Sequence, residues 1–248
     1  MSLEPTPDYS GQVSVVVPVK NEADNILPLI EEIHAALEGR ADFELIYVDD
    51  GSTDATPQQL AQAQARFPRL RVMRHRESCG QSTALATGVR AACHPWIATL
   101  DGDAQNDPVD IPALLEAVSP GRRTPGLELV AGWRSRRQDS GLRKLSSRIA
   151  NGVRGGLLGD RTPDTGCGLK VFSRAVFLRL PYFDHLHRFL PALFLREGAQ
   201  VVSVPVSHRP RVRGRSKYGV HNRLWVGIVD LFGVMWLQRR MKRPVIER

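Results

Sequence analysis

The 248-residue sequence has few features of a secreted, disulfide-bonded or membrane-spanning protein. Its three cysteines form neither a CxxC pair nor an even disulfide framework, and no charged segment followed by an apolar core opens the chain. The longest apolar stretch, residues 224–237, contains Asp230 and is shorter than the ~20 residues that a membrane-spanning helix needs. We therefore predict reduced thiols, a location on the cytoplasmic side and peripheral membrane contact at most.

Aromatic residues are also scarce, at 6% of the chain, and neither a zinc-ligand pattern nor a helix-turn-helix signature is present. The charges are unevenly distributed, because residues 1–133 carry 10 Lys and Arg against 19 Asp and Glu, whereas residues 134–248 carry 24 against 7. This pattern argues against nucleic-acid binding and for a carboxylate-bearing site that faces phosphate or anionic lipid. Solvated charged faces are the alternative explanation.

No Pro/Gly/Ser-rich stretch, low-complexity run or internal repeat divides the chain, whose length suits one α/β domain. We predict a flexible arm over residues 1–11, a domain over residues 12–219 and a membrane- or partner-associating segment over residues 220–248. In the last of these, Trp and basic residues flank an apolar helix, which is typical of a lipid interface. A buried dimer helix is the competing interpretation.

Strand and helix patterns alternate along the domain. Residues 13–19 form a nearly continuous β-branched run, as expected of a strand buried on both faces of a sheet, and a helix with a 3.6-residue apolar period follows from Ile26. Further strands are predicted at residues 43–48, 70–73, 96–100 and 127–131, and further helices at residues 56–67, 82–92, 111–118 and 143–158. The alternation predicts a mostly parallel sheet flanked by helices.

Two helix starts carry specific expectations. Thr56 is predicted to cap the second helix with the help of Gln59, and Ser82 to cap the third. Phosphate binding by the backbone N–H groups of residues 80–83 is the alternative at the third helix.

Polar side chains follow the predicted strands, at the edge where open parallel sheets bind ligands. In extended backbone, Asp101, Asp103 and Gln105 would project to one side as a row of hard oxygen ligands. Mg²⁺ and Mn²⁺ favour such oxygens and commonly bridge them to substrate phosphates. Gly102 would let a diphosphate approach the backbone closely. A polar loop rich in turn formers is the alternative, but its place after a buried strand favours a metal site.

Asp50, at the end of the second strand, is a candidate acceptor for a nucleobase or ribose, with a structural role equally compatible with the sequence. Asp49 and Ser52 are candidates for organising the turn that follows. The second part of the chain supplies candidate phosphate-binding cations, because guanidinium groups match phosphate oxygens in pairs. They are Arg134, Arg136, Arg137, Arg143, Lys144, Arg148 and the basic residues of 209–217.

Seven motifs occur in an order typical of one family. They are VVPVKNE at residues 16–22, VDDGSTD at 48–54, DGDAQNDP at 101–108, GWR at 132–134, RIAN at 148–151, DTGCGLKVF at 164–172 and RVRGRSK at 211–217. Through these motifs, residues 13–219 resemble glycosyltransferase family 2, within it the dolichyl-phosphate mannosyltransferase and bacterial polyprenyl-phosphate glycosyltransferase branch. The resemblance implies a GT-A fold, a Rossmann-like nucleotide-diphospho-sugar transferase architecture.

The resemblance also implies roles for individual residues. Those next to the nucleoside would be Pro18, Lys20, Glu22, Val48 and Asp50. Asp101, Gly102 and Asp103 would hold the diphosphate and a Mg²⁺ or Mn²⁺ ion, with Gln105 completing the metal shell. Arg134, Arg211 and Lys217 would contact phosphates of donor and acceptor, and Arg148 the acceptor phosphate. Lys20 departs from the family, in which an aromatic residue often packs near the base, so guanine and uracil both stay open.

The implied activity is inverting transfer of a sugar from GDP-mannose or a UDP-sugar to a polyprenyl phosphate. The expected partners are this donor, the lipid acceptor, an anionic membrane surface and either a second copy or a membrane protein, but no nucleic acid. The alternatives are a family 2 enzyme with another acceptor, a sugar nucleotidyltransferase and a nucleic-acid-binding module. A sugar nucleotidyltransferase would require a Gly-rich triphosphate-binding loop after the first strand, and residues 18–22 contain no glycine.

Overall fold

The valine-rich run near the N-terminus forms an inner strand of a seven-stranded sheet. The computed structural model describes residues 7–134, 152, 154–210 and 220–242, with side chains from residue 226 onward in the last range. The strands are β1 (Gln12–Val19), β2 (Asp42–Asp49), β3 (Leu70–Arg74), β4 (Trp96–Thr99), β5 (Leu127–Trp133), β6 (Lys170–Ser173) and β7 (Gln200–Pro205). Their order is β3-β2-β1-β4-β6-β5-β7, and β6 runs antiparallel to both of its neighbours. The other strand pairs are parallel, which confirms the prediction of a mostly parallel sheet.

Helices cover both faces of this sheet. They are α1 (Ala23–Leu37), α2 (Thr56–Arg66), α3 (Gln81–Ala91), α4 (Ile111–Glu116), α5 (Arg174–Phe177), α6 (Leu190–Arg196) and α7 (Val220–Arg240), with 3-10 turns at Pro108–Asp110 and Leu186–Arg188. Residues 154–158 are helical, which covers the end of the helix predicted over residues 143–158, and the rest of it falls almost entirely outside the described residues. Among the described residues, no helix combines the length and apolar character needed to cross a membrane.

The two faces of the sheet bury separate hydrophobic clusters, as the alternation of side chains along a strand requires. In β1, Val13, Val15, Val17 and Val19 pack into the cluster that contains α1, whereas Val16 packs into the cluster that contains α3. Burial on both faces explains why this strand is almost continuously β-branched.

The two predicted helix caps are wrong. Thr56 is the first residue of α2, its Oγ1 accepts a hydrogen bond from the Glu22 backbone N–H, and the Asp54 carboxylate accepts from the Thr56 N–H. Ser82 does not cap α3, because its hydroxyl lies 2.8 Å from Nδ1 of His187. Both side chains join separate parts of the chain instead of satisfying their own helix.

The described part of the predicted N-terminal arm lies against the domain. The indole Nε1 of Trp96 donates a hydrogen bond to the carbonyl of Pro7, and the Tyr9 N–H donates to the carbonyl of Val118. Asp8 forms an ion pair with Arg123 at 3.0 Å. These contacts join residues 7–9 to the domain, and the flexibility of the arm stays a prediction.

At Gly88, α3 packs closely against the sheet. A Cβ atom at this position would overlap Cγ1 of Val16 and lie 3.2 Å from Cγ2 of Val48. We expect Gly88→Ala to lower the free energy of unfolding by about 1–3 kcal/mol, because overpacking displaces buried side chains. Gly233→Ala is the matched control, because nothing lies within 4 Å and alanine favours helix by up to about 1 kcal/mol. Urea unfolding checks both, and equal effects would contradict this packing.

Candidate active site

The carboxyl ends of β1, β2, β4 and β5 meet at one edge of the sheet, and hydrogen bonds join the loops that follow the first two. The Asn21 N–H donates to Ser52 Oγ at 2.8 Å, and the Thr53 N–H donates to Asn21 Oδ1 at 2.7 Å. The Ser52 N–H in turn donates to the buried Asp49 carboxylate at 2.9 Å. The prediction that Asp49 and Ser52 organise this turn is confirmed.

The loop after β4 carries Asp101, Asp103 and Gln105, and we call it the acidic loop. It forms a turn and not the extended segment that was predicted. Ala104 has a φ of 58°, and the Asp103 carboxylate accepts a hydrogen bond from the Gln105 N–H at 3.2 Å. Short polar side chains that bind the backbone two residues on favour such turns. The side chains of Asp101, Asp103 and Gln105 therefore extend from a curved loop and do not form the straight row that was predicted.

The glycine inside this loop has a packing reason. A Cβ atom on Gly102 would lie 2.5 Å from Cγ1 of Val19 and 3.2 Å from the carbonyl oxygen of Pro18. The end of β1 thus needs a residue without a side chain here. Close approach of a diphosphate to Gly102 stays a prediction.

Asp101 opens on a cavity of about 300 Å³ at this edge of the sheet. Gln81, at the start of α3, donates a hydrogen bond to Asp101 Oδ1 at 2.8 Å. The loop of residues 165–168 forms another wall, and a side chain on Gly168 would collide with the Asp101 carboxylate. Pro18, Lys170, His187, Arg188 and Leu190 also line the cavity.

The chemistry of the acidic loop fits a hard divalent cation. Burial and the neighbouring Asp103 raise the pKa of Asp101, while Lys170, Arg134 and the Gln81 hydrogen bond lower it. A carboxylate in such surroundings is costly to keep ionised unless positive charge stands beside it. Carboxylate and amide oxygens are the ligands that Mg²⁺ and Mn²⁺ favour. Asp101, Asp103 and Gln105 would hold the ion.

Arg134 and Lys170 supply positive charge beside the acidic loop. Arg134 forms a two-pronged ion pair with the nearly buried Asp164, with N–O distances of 2.6 and 2.9 Å, which raises the Arg134 pKa against the opposing effect of burial. The Lys170 ammonium donates to the carbonyls of Thr165 and Cys167. Burial lowers the Lys170 pKa, while Cys167, Asp101 and Asp164 raise it. Both cations therefore fix the 164–168 loop against the cavity.

Asp50 lies in a network that fully engages its carboxylate. Its oxygens accept hydrogen bonds from Ser78 Oγ, Cys79 N and Gly80 N at 2.7–2.9 Å, and His75 Nδ1 lies 2.8 Å away. Burial opposes ionisation, but these donors hold the pKa of Asp50 below its usual value. Asp50, His75 and Cys79 have the residue types of a metal site. Their contacts are those of a network that organises the loop, and nucleoside binding by Asp50 stays a prediction.

The other predicted nucleoside contacts lie at the same edge. Pro18 lines the cavity, Glu22 accepts a hydrogen bond from the Asn25 side chain at the start of α1, and Lys20 is half-buried. Val48 is fully buried, and its side chain packs toward Gly88 of α3. Arg148, Arg211 and Lys217 lie outside the described residues.

Residues 208 and 209, just before the basic motif of residues 211–217, contact the acidic loop. The Arg209 N–H donates to the Gln105 carbonyl at 3.0 Å, and Asn106 pairs with His208 as an isolated bridge. The Arg209 guanidinium forms ion pairs with Glu32 and Asp107, both at 2.7 Å.

Sequence reasoning did not single out Gln81, Lys170, His187 or Arg188, which all line the cavity. The DTGCGLKVF motif contains Lys170 and offered a signal for it, whereas Gln81 and His187 have no motif of their own. Burial, and after it Arg188, Lys170 and His185, lowers the pKa of His187 to about 3, so this imidazole is neutral at physiological pH. Its Nδ1 is engaged by Ser82.

The mostly parallel sheet, the acidic loop at its carboxyl edge and the adjoining cavity define a GT-A glycosyltransferase architecture. The sequence pattern of the family "Glycosyl transferase family 2" matches residues 14–181, which are more than half of the chain. The chain belongs to glycosyl transferase family 2, which confirms the predicted family and fold and identifies it as a glycosyltransferase.

Its curated relatives act in the branch predicted from the motifs. The dodecaprenyl-phosphate galacturonate synthase of Rhizobium johnstonii is 37% identical over 246 residues, which cover 96% of this chain and 70% of the relative. The undecaprenyl-phosphate 4-deoxy-4-formamido-L-arabinose transferase of Edwardsiella ictaluri is 34% identical over 211 residues, which cover 84% of this chain and 63% of the relative. The chain thus spans about two thirds of the length of these relatives.

Solved structures support the fold. The glucosyl-3-phosphoglycerate synthase of Mycobacterium tuberculosis in complex with Mn²⁺, UDP and phosphoglyceric acid superposes with a TM-score of 0.69 at 21% identity, covering 94% of this chain and 80% of that one. Its complex with Mg²⁺ and UDP gives a TM-score of 0.68 at 20% identity, covering 94% and 81%.

The buried His187 should make the fold acid-sensitive. Its pKa falls from 6.5 to about 3 on folding, so the unfolded chain binds one more proton between these pH values and stability falls as the pH falls through this window. The slope is at most about 1.4 kcal/mol per pH unit. Between pH 6.5 and 5, urea unfolding should show a loss about 1.6 kcal/mol greater for the native chain than for His187→Gln. Equal losses would contradict the buried neutral imidazole.

Proposed function

We propose that this chain transfers a sugar, with inversion, from a nucleotide diphosphate-sugar to a polyprenyl phosphate. The observation that carries the proposal is a cavity that is lined by Asp101 of the acidic loop on one side and by Lys170 and Arg188 on others. The named activities of the two curated relatives support the lipid phosphate as acceptor. Other acceptors of family 2 are the alternative.

The donor would lie across the carboxyl edge of the sheet. Its nucleoside would sit over residues 18–22 and 48–50, which the loop hydrogen bonds hold together, and its diphosphate would reach the loop of Asp101, Asp103 and Gln105. The sugar would then enter the cavity, where His187 offers a neutral ring and Gln81 a side-chain amide. The solved neighbours were obtained with UDP, so UDP-sugars are the first donors to test.

The chain's own groups would stabilise the charge that develops on the leaving diphosphate. Displacement forms a bond from a phosphate oxygen of the lipid to the anomeric carbon and breaks the bond from that carbon to the nucleoside diphosphate. A bound Mg²⁺ or Mn²⁺ would neutralise the departing phosphates. Lys170 and Arg134 are fixed before the reaction by carbonyls and by Asp164, so they need little reorganisation.

The acceptor needs no dedicated base. A phosphate monoester has a second pKa of about 6, so near neutral pH it is already a nucleophilic anion. The neutral His187 is consistent with this chemistry, because its low pKa makes it a poor proton acceptor in this range. The reaction then depends on alignment of the phosphate with the anomeric carbon.

We place the reaction on the cytoplasmic side of a membrane. Arg148, Arg211 and Lys217 would contact phosphates of the substrates there.

A thermal-shift panel of UDP, GDP and their common sugars with Mn²⁺ tests the donor, and transfer of radiolabel from the stabilising donor into a butanol-extractable lipid tests the reaction. We expect one nucleotide class to stabilise the fold and its sugar to enter the lipid fraction. Stabilisation followed by transfer to a water-soluble acceptor would support another family 2 reaction instead.

The loss of one carboxylate from the acidic loop should abolish most of this transfer. We expect Asp103→Ala to lower turnover by roughly 100- to 1,000-fold or more, because a preorganised charge at the leaving group is lost. Asp42→Asn is the matched control, because Asp42 begins β2 at the opposite edge of the sheet and its carboxylate is exposed. Wild-type turnover by a folded Asp103→Ala variant would exclude the proposed site.

A further inference from the structure

One face of α7 exposes large apolar side chains to solvent. Val226, Val229, Phe232 and Trp236 are 39%, 68%, 62% and 58% exposed, and Leu157, from the neighbouring helical turn, is 46% exposed. We call these five residues the apolar ridge. The four that belong to α7 are spaced by three or four residues and lie on one side of the helix. A contiguous exposed patch of this kind marks an interaction surface more often than scattered apolar residues do.

The opposite face of α7 is anchored to the domain. Val234 is fully buried, and Asp230 lies 3.1 Å from Nδ1 of His185. The Gln238 side chain donates to the carbonyl of Leu158, and Arg196 donates to the carbonyl of Leu237. Because polar and apolar contacts fix this face, the orientation of the ridge toward solvent is a property of the fold.

Basic residues end the ridge. Arg239, Arg240 and Lys242 follow it directly, and the Arg240 guanidinium lies 5.8 Å from the centre of the Trp236 ring. Aromatic and basic residues beside an apolar helix face are typical of helices that lie in the headgroup region of a bilayer. Cations there gain from anionic lipid headgroups, whereas an apolar protein partner would leave this charge without a counterpart.

The anchored face of α7 adjoins segments that line the candidate active site. The helix α7 packs against α6, whose first residue, Leu190, lines the cavity, and Asp230 contacts His185 just before the cavity residues 187 and 188. The helix that carries the ridge is therefore connected to the segments that line the cavity.

We propose that the apolar ridge is a membrane-docking surface, with α7 lying along an anionic bilayer and its apolar face in the headgroup region. The choice of lipid as the occupant rests partly on the proposed function. It also goes beyond that function, because it names the surface and the orientation.

Flotation with lipid vesicles tests the docking surface without needing turnover. The native chain should float with vesicles of phosphatidylcholine and phosphatidylglycerol and less with phosphatidylcholine alone. The affinity of the double variant Phe232→Ser/Trp236→Ser for the anionic vesicles should be lower by roughly tenfold or more, because two apolar anchors are lost. Val109→Ser/Leu178→Ser is the matched control, because these apolar side chains are 58% and 43% exposed outside the ridge.

A second double variant separates the charge from the apolar contact. Arg239→Gln/Arg240→Gln should reduce binding to anionic vesicles and leave binding to phosphatidylcholine unchanged. Circular dichroism verifies that each variant is folded. Native flotation by the folded ridge variant overturns the proposal. A dimer in sedimentation that the ridge variant dissociates, without vesicle binding by the native chain, overturns it in favour of a second copy.

Transfer to farnesyl phosphate, a short acceptor in solution, distinguishes this proposal from the proposed function. The ridge variant should keep this transfer while losing flotation. Loss of transfer equal to the loss of flotation would contradict a separate docking role. Vesicle binding by a native chain that transfers no sugar to any isoprenyl phosphate would support the docking surface and reject the proposed function.

Discussion

The site depends on keeping the Asp101 carboxylate ionised at a buried edge of the sheet. Burial and Asp103 both oppose ionisation, while Lys170, Arg134 and Gln81 favour it. Each of these three groups comes from a different element and is itself held in place, Lys170 by loop carbonyls, Arg134 by Asp164 and Gln81 by the start of α3. The close contact of Gly168 with the same carboxylate then fixes the wall of the cavity. A divalent cation would supply further positive charge beside the Asp101 carboxylate and would favour its ionised form.

The antiparallel strand β6 is the reason that a lysine reaches this position. Thr99, the last residue of β4, pairs with Lys170, the first residue of β6, and Thr99 Oγ1 donates to the Gly168 carbonyl at 2.8 Å. Two residues further on, the chain of β4 reaches Asp101. A parallel strand would instead begin at the far edge of the sheet, so the 164–168 loop and its lysine would lie away from the acidic loop. The reversal of one strand thus adds a cationic wall to a carboxyl edge that otherwise collects acidic residues.

The sequence predicted the strands and helices that depend on local pattern, and it missed what depends on distant contacts. The valine run of β1 and the apolar period of α1 are local signals, and both elements fall where they were expected. The caps at Thr56 and Ser82 failed because these hydroxyls serve Glu22 and His187, which no local rule relates to them. For the same reason the acidic loop was identified by its residues but not by its shape. His187 itself stands in a short turn whose contribution to the cavity follows from tertiary packing alone.

The uneven distribution of charge along the chain has a structural counterpart at the cavity. The acidic first part of the sequence supplies Asp101, which follows β4, and the basic second part supplies Lys170 and Arg188, and all three residues line the cavity. Because β4 and β6 are neighbours, the two parts meet within one sheet and not at a domain boundary. Such a meeting favours a ligand that needs both signs of charge, a metal-bound diphosphate on the acidic side and an anionic group on the basic side. Under the proposed function, the uncharged sugar would lie beside the neutral His187, between the diphosphate and the acceptor phosphate.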